Sequence, residues 1–298
     1  MRSKPFIILL SLISLACGVL LVTAQEPGDE VRGAFLSTRP KTTNNNDQSR
    51  RRRTRKTNSS SVGAKNANST AANAKRTGNT NSSVTHRLAE AIGLGYTLFM
   101  RDANGRTVRA EPSREFHNGD SVRIALEPNV DGYLYVFHTE GNGEPEMIYP
   151  DWRLDGGENW IEAHVPVEVP SSEETDERLR WFTFYGNAGI ERLYVVVSRE
   201  PLPGVPTGDR LVTFCAANKD KCPWRPLSEV WAQVQKATRA EVKVVAAKSF
   251  GQPLSNKEQV ATTRGLGLDQ TAPEPSVIRM NASTTAPVLV TVLDLIHK

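Results

Sequence analysis

A short acidic stretch carries the side chains best suited to acid–base chemistry. Paired carboxylates hydrolyse glycosidic bonds when they lie roughly 5–10 Å apart, and oxygen ligands on a flexible loop suit Ca²⁺. Exposed acidic loops are commoner than either site. We keep as alternatives a cryptic hydrolase and a calcium site formed by Asp151, Asp155 and Glu158. We predict no catalytic residue, metal ligand or cofactor. The acidic residues are Glu140, Glu144, Glu146, Asp151, Asp155 and Glu158.

Two histidines provide a second candidate for chemistry. His138 and His164 lie at predicted strand ends and could bind a metal together with Glu140 or Glu162. The sequence has no His-x-x-x-His or compact Cys/His spacing to support a metal site. It also lacks the Gly-x-Ser-x-Gly nucleophile turn of many hydrolases. We therefore expect these histidines to be hydrogen-bonded or to face solvent.

Four aromatic residues within or after the acidic stretch suggest a ligand surface. Aromatic residues at strand ends more often cap a core, whereas a cleft lined by them can stack on a sugar ring. The alternatives are therefore a packed core and a glycan site. The residues are Tyr149, Trp152, Trp160 and Trp181.

A cluster of basic residues suggests a different partner, a polyanion. Between residues 38 and 86 there are eleven Lys/Arg and one Asp, whereas residues 87–298 hold 23 Lys/Arg and 29 Asp/Glu. The run has no interleaved aromatic residue for base stacking, so we expect no nucleic acid. Anionic lipid or polysaccharide is the expected partner, and a solvated spacer is the alternative. The run comprises Arg50, Arg51, Arg52, Arg53, Arg55 and Lys56.

The first residues have the pattern of an export signal. Arg2 and Lys4 precede the apolar run Phe6–Val22, and Val22-Thr23-Ala24 before Gln25 fits a cleavage site. We predict a cleaved signal peptide over 1–24 and a secreted or periplasmic protein without a transmembrane span in its mature chain. An uncleaved membrane anchor and lipidation of Cys17 are the alternatives.

Residues 25–83 contain few large apolar side chains and are rich in Asn, Ser, Thr, Lys and Arg. Such a segment cannot bury enough apolar surface to offset the entropy lost on ordering. We therefore predict a disordered basic tether.

The region 84–206 has the pattern of an antiparallel β-sandwich of immunoglobulin-like type. Short apolar or alternating runs are separated by turn residues at fairly even spacing. Tyr133–Phe137 is continuously aromatic and aliphatic, as in a central strand. Tyr133 and Tyr135 share one face and Leu134 and Val136 the other. One pair should face the core, and the other can pack under the second half of the chain.

Residues 207–298 are predicted to form a β-rich extension with one short helix. Leu211–Phe214 is expected to be a strand, Ser228–Thr238 a helix and Pro287–Ile296 a terminal strand. Cys215 and Cys222 are the cysteines of the mature chain, and in an oxidising compartment this pair predicts a disulfide.

Part of the chain resembles a bacterial family called domain of unknown function 4384, over about residues 95–206. The resemblance depends on a Gly-Asp strand start, a DGYLYV hairpin strand, a Tyr-Pro strand end and a late strand before PLP. Gly119-Asp120, Asp131–Val136, Tyr149-Pro150, Leu193–Val196 and Pro201–Pro203 provide these features.

The resemblance implies a β-domain of the envelope or extracellular space with no established activity. Members of the family accompany peptidases and kinases, but this sequence has neither signature. We therefore predict a non-enzymatic interaction module that binds a protein or glycan partner. The acidic-stretch hydrolase and polyanion binding through the basic run remain alternatives.

The polyanion hypothesis can be tested with the full mature chain on a heparin column. Replacing the basic run, Arg50–Arg53 with Arg55 and Lys56, by Ser should lower the NaCl concentration at elution, because salt screens these exposed charges. A matched variant that replaces Lys65, Lys75 and Arg76 should elute nearer the unmodified chain. Equal elution of the basic-run variant and the unmodified chain would rule the hypothesis out.

Overall fold

The computed structural model describes residues 27–39, 90–172, 174–247, 250–251, 253 and 273–298. Within these ranges the chain forms thirteen strands and three α-helices. The helices are α1 (Pro27–Ser37), α2 (Asp209–Ala217) and α3 (Ser228–Ala237). The strands are β1 (Gly93–Arg101), β2 (Thr107–Ala110), β3 (Glu115–Phe116), β4 (Ser121–Pro128), β5 (Gly132–Glu140), β6 (Glu146–Tyr149), β7 (Trp160–Ile161), β8 (Val167–Val169), β9 (Phe182–Thr183), β10 (Gly189–Ser198), β11 (Val242–Ala246), β12 (Val277–Asn281) and β13 (Val288–His297).

The strands form two sheets, as the prediction of a mainly-β sandwich requires. The first sheet has the order β11-β12-β1-β4-β8, with β2 beside β1 and β9 beside β4. The second has the order β3-β13-β10-β5-β6, with β7 beside β5. Strands β3 and β13 are parallel, and the other named pairs are antiparallel. The prediction of a mainly-β antiparallel sandwich is confirmed.

Strand β5 is buried on both faces, because its two alternating sets of side chains enter different cores. Leu134 and Val136 lie in the core between the sheets. Tyr135 and Phe137 lie in a second cluster on the outer face of the second sheet. This outcome matches the predicted division of the strand into two faces.

Helices α2 and α3 cover that outer face. Trp231 of α3 packs edge-to-face on Phe137 and on Tyr194, at ring-centroid distances of 5.9 and 4.7 Å. Leu211 and Cys215 of α2 are buried in the same cluster. The prediction of a strand at Leu211–Phe214 is therefore wrong, and the second half of the chain has two helices beside the sheet. A four-residue apolar run fits either state; the i, i+4 spacing of the buried pair is helical.

Helix α1 corrects the prediction of a disordered tether over 25–83. Val31 and Phe35, four residues apart, pack on Ile278 and Met280 at the outer face of the first sheet. Gly95 leaves space for this contact, since a Cβ there would lie 3.1 Å from Phe35 Cζ. Residues 40–83 lie outside the described part of the chain.

The predicted domain boundary at residue 206 does not separate two folded units. Strand β13 pairs with β10 over ten residues, Gly189↔His297 to Ser198↔Val288. Strand β12 pairs with β1 in the other sheet. The last strands therefore complete both sheets of the sandwich, and the proposed extension is part of the same core.

Burial on both faces of β5 predicts similar losses of stability from either side. Leu134→Ala should lower the free energy of unfolding by about 2–5 kcal/mol, and Phe137→Ala by about 3–5 kcal/mol. Ile190→Ala, at a position 41% exposed, should cost less than about 1 kcal/mol. Urea denaturation measures all three values. A Phe137→Ala variant as stable as the control would show that the helices do not cover this face.

Candidate functional site

A groove of about 1380 Å³ runs along one open side of the sandwich. Edge strands β6 and β8 lie on its two sides, together with the connections that follow each of them. The volume exceeds the roughly 300–1000 Å³ of a pocket for one small molecule. The groove therefore has room for an extended ligand.

All four aromatic residues identified in the sequence, Tyr149, Trp152, Trp160 and Trp181, line this groove. Tyr149 ends β6, Trp160 begins β7, and Trp181 immediately precedes β9. These residues are distant in sequence, but the pairing of β6 and β7 with β5 and of β9 with β4 brings them to the same side. Sequence reasoning therefore identified the set, although it could not place the four side chains together.

Trp160 is the most accessible of the four aromatic residues, with 42% of its surface exposed. Its ring packs edge-to-face on Tyr133, 5.2 Å between centroids at an interplanar angle of 78°. The preceding residue, Asn159, is buried and forms two hydrogen bonds with the backbone of β5. Its side-chain Nδ2 donates to Leu134 O at 3.1 Å, and its backbone carbonyl accepts from Leu134 N at 3.0 Å. These contacts fix one wall of the groove to the central strand.

Trp181 is held by two arginines on the outer face of the first sheet. The Arg101 and Arg123 guanidinium carbons lie 4.9 and 4.5 Å from the indole centroid, at cation–π distance. Arg123 is 5% exposed and lies 3.8 Å from Glu168. Burial lowers the pKa of the Arg123 guanidinium, and the Arg101 and Arg180 charges lower it further, while Glu168 opposes the shift. The indole is therefore fixed by charged neighbours.

The carboxylates of the acidic stretch are mostly paired with cations. Arg153 donates to Asp151 from its backbone N at 2.9 Å and from its guanidinium at 2.5–3.2 Å. Glu146 lies 3.9 Å from Arg225 and 3.7 Å from His138. Glu146, Asp151 and Glu158 line the groove, whereas Glu140 and Glu144 are exposed away from it. The Asp155 side chain lies outside the described part of the structure.

Sequence reasoning missed Glu174, an acidic residue of the opposite wall. Hydrogen bonds from the Asp176 backbone N–H, and next from the Thr175 hydroxyl, lower the pKa of this carboxyl group. A carboxyl group held ionised in this way is a poor general acid, because that role requires a proton at neutral pH.

The histidines have different partners from those considered for a metal site. His138 Nε2 lies 2.6 Å from Glu191 Oε2, and His164 Nδ1 lies 2.8 Å from Glu127 Oε1. Neither contact involves Glu140 or Glu162. Among the residues with described positions, no group of three or more His, Cys, Asp or Glu side chains is arranged to hold a metal ion.

His164 belongs to a buried polar network that joins α1 to the sandwich. Arg39 donates two hydrogen bonds to Glu127, from Nε at 2.8 Å and from Nη2 at 2.6 Å. His164 Nε2 lies 2.7 Å from Thr38 Oγ1. The Glu127 and His164 side chains are 4% and 2% exposed, and that of Arg39 is 12% exposed. We call this group the α1 clamp. Sequence reasoning missed it, because two of its members lie in the predicted tether.

The α1 clamp has the carboxylate–imidazole–hydroxyl order of a hydrolase triad, but its contacts are those of a structural network. The Thr38 hydroxyl donates to the Phe35 carbonyl at 2.7 Å. This donation uses the one proton of the hydroxyl. Arg39 also neutralises the carboxylate that would orient a catalytic base. The arrangement therefore fixes α1 and does not activate a nucleophile.

The remaining predicted site residues divide between described and undescribed parts of the chain. The sulfur atoms of Cys215 and Cys222 lie at disulfide distance, with their Cα atoms 5.7 Å apart, so the predicted pairing is confirmed. Cys222 lines the groove. The predicted polyanion-binding residues lie outside the described residues: Arg50, Arg51, Arg52, Arg53, Arg55 and Lys56. No helix of the described segments has the length and hydropathy needed to cross a membrane.

One segment of the chain is similar to a known protein family. The family model described as Domain of unknown function (DUF4384) matches residues 115–201. The suspected resemblance is confirmed for this segment, which runs from β3 through β10. No curated protein and no solved structure matches the chain.

The α1 clamp predicts that one substitution on the sandwich loosens the distant helix. Glu127→Gln leaves the Arg39 guanidinium buried without its counter-charge, and breaking a buried pair costs about 3–5 kcal/mol. Hydrogen exchange of amides in residues 28–39 should then accelerate by about 100-fold or more, while amides of β13 serve as an internal reference.

Arg32→Ala is the control, since Arg32 pairs with Glu274 near the surface and such pairs contribute about 0.2–1 kcal/mol. Unchanged protection of α1 in Glu127→Gln would mean that the clamp does not hold the helix.

Proposed function

We propose that the protein is an exported, non-enzymatic interaction module that binds its partner in the aromatic groove. One observation carries the proposal: four aromatic side chains, Tyr149, Trp152, Trp160 and Trp181, line one groove on the sandwich. Binding clefts are concave, rich in aromatic side chains and provided with a few positioned polar groups. This groove combines such a surface with charged side chains that hydrogen bonds hold in place.

Export is supported by the leader-like sequence of residues 1–24 and by the cysteine pair. Disulfides persist in secreted and periplasmic proteins and are rare in reducing compartments. Cys215 and Cys222 lie at disulfide distance. Residues 115–201 match a family model without an assigned function, so the proposed location depends on the chain's own residues.

The hydrogen bonds made by the acidic side chains favour a binding role over the hydrolase alternative. Asp151 accepts several hydrogen bonds from Arg153, so its carboxylate oxygens are already engaged within the protein. The Glu174 pKa is lowered. Glycoside hydrolysis needs one carboxyl group that stays protonated to act as the acid. The lowered pKa makes Glu174 unsuited to the role of the acid, which favours ligand binding over hydrolysis.

The proposal predicts a specific loss of adsorption to the envelope isolated from the organism that encodes the chain. Trp160→Ala should weaken co-sedimentation of the full mature chain by about tenfold or more, as expected when an aromatic anchor is truncated. Trp160→Phe, which keeps a ring, should retain part of the binding. Urea midpoints of the variants check that each one folds.

Tyr185→Ala is the matched control, because Tyr185 is an aromatic residue 75% exposed and outside the groove. It should adsorb like the unmodified chain. If Trp160→Ala and Tyr185→Ala both adsorb like the unmodified chain, the groove is not the binding site.

A further inference from the structure

We infer that the ligand of the groove is a neutral glycan chain, an inference that rests on the proposed function. It comes from the balance of charge in the groove, from the exposed aromatic surface and from the groove's size. Each property limits the chemistry of the ligand separately.

Several of the charged side chains along the groove have a partner of opposite charge within the protein. Asp151 pairs with Arg153 at 2.5 Å, Glu127 with Arg39 at 2.6 Å, and Glu168 lies 3.8 Å from Arg123. A cationic peptide would have to compete with these arginines, and an anionic polymer would have to approach the carboxylates. Neither gains a complementary field. A neutral ligand avoids both costs.

Paired charges still offer hydrogen bonds to a neutral ligand. In the Asp151–Arg153 pair, whose side chains are 20% and 46% exposed, a carboxylate with about four acceptor sites meets a guanidinium with five donors, so several of these sites are unused. Because each pair holds its groups in place, little side-chain entropy is lost when a ligand binds. Hydroxyl groups are suited to this surface, since each can both donate and accept.

The aromatic side chains provide the second half of sugar recognition. Trp160 exposes 42% of its surface at the groove, and its edge-to-face contact with Tyr133 fixes the ring plane. A pyranose ring presents C–H groups on one face and hydroxyls at its rim. It can therefore stack on an indole while its hydroxyls reach the paired charges.

The groove's dimensions favour a chain over a single sugar. At about 1380 Å³ it exceeds the roughly 300–1000 Å³ of small-molecule pockets. Trp160 belongs to β7, which pairs in the second sheet, whereas Trp181 immediately precedes β9, which pairs in the first. A ligand that contacts both rings must cross the open side of the sandwich. Successive sugar units in one chain would meet this requirement.

The test uses the isolated envelope as the probe after two treatments. Proteinase K removes protein, whereas periodate oxidises and opens sugar rings that carry vicinal diols. Binding that depends on Trp160 is the difference between the full mature chain and Trp160→Ala, with Tyr185→Ala as the control. We expect this difference to survive proteinase K and to fall at least tenfold after the glycan treatment.

Salt concentration tests whether the ligand is neutral. Raising NaCl from about 0.15 M to about 1 M shortens the Debye length from about 8 to about 3 Å. Binding that depends on Trp160 should change less than twofold, because it involves a neutral partner. A larger loss of this binding in salt would identify a charged ligand and overturn the inference.

Each remaining outcome is decisive. Loss of the Trp160-dependent binding after proteinase K would identify a protein partner; it would overturn the glycan inference and leave the proposed function standing. Survival of both treatments would show that the ligand is neither a protein nor a glycan with vicinal diols, and it would likewise overturn the inference and leave the proposed function standing. If Trp160→Ala binds the untreated envelope as well as Tyr185→Ala does, the proposed function fails, and the inference fails with it.

Discussion

The second sheet carries apolar side chains on both faces, and this constraint determines how the rest of the chain is arranged. Exposing either face would leave aromatic and aliphatic surface in water, at a cost of about 25 cal/mol per Å². The first sheet covers Leu134 and Val136, and helices α2 and α3 cover Tyr135 and Phe137. The two faces of β5 are therefore covered by two different layers, the first sheet on one face and the two helices on the other.

The same constraint positions the groove. The chain that follows β6 leaves the second sheet, whose outer face is covered by helices α2 and α3. It therefore passes between these helices and the open side of the sandwich. Met147 N donates to Trp224 O at 2.8 Å, which joins β6 to the segment between α2 and α3. Asn159 returns the chain to β5. The aromatic residues between these two attachments, Tyr149 and Trp152, consequently lie at the groove wall.

Period-two patterning was sufficient to predict the central strands, because in β5 it separates two sets of side chains with different neighbours. It failed where burial depends on a partner distant in sequence. Leu211–Phe214 is apolar enough for a strand, and only the spacing of Leu211 and Cys215 indicates a helix. Helix α1 has two buried residues, Val31 and Phe35, too few to stand out within a polar segment. Its order depends on the sheet that receives it.

The sequence identified candidate site residues by their residue type more often than by the contacts that they make. Aromatic residues at strand ends are visible in the sequence, whereas Glu127 looks like any charged residue in an alternating strand. The role of Glu127 is visible only in the structure, where Arg39, 88 residues earlier, donates a hydrogen bond to its carboxylate. Arg39 also donates to the carbonyl of Pro273 at 3.1 Å, and both Glu127 and Pro273 line the groove. The described N-terminal segment therefore ends, at Arg39, beside the groove, because both partners of the Arg39 guanidinium belong to the groove lining.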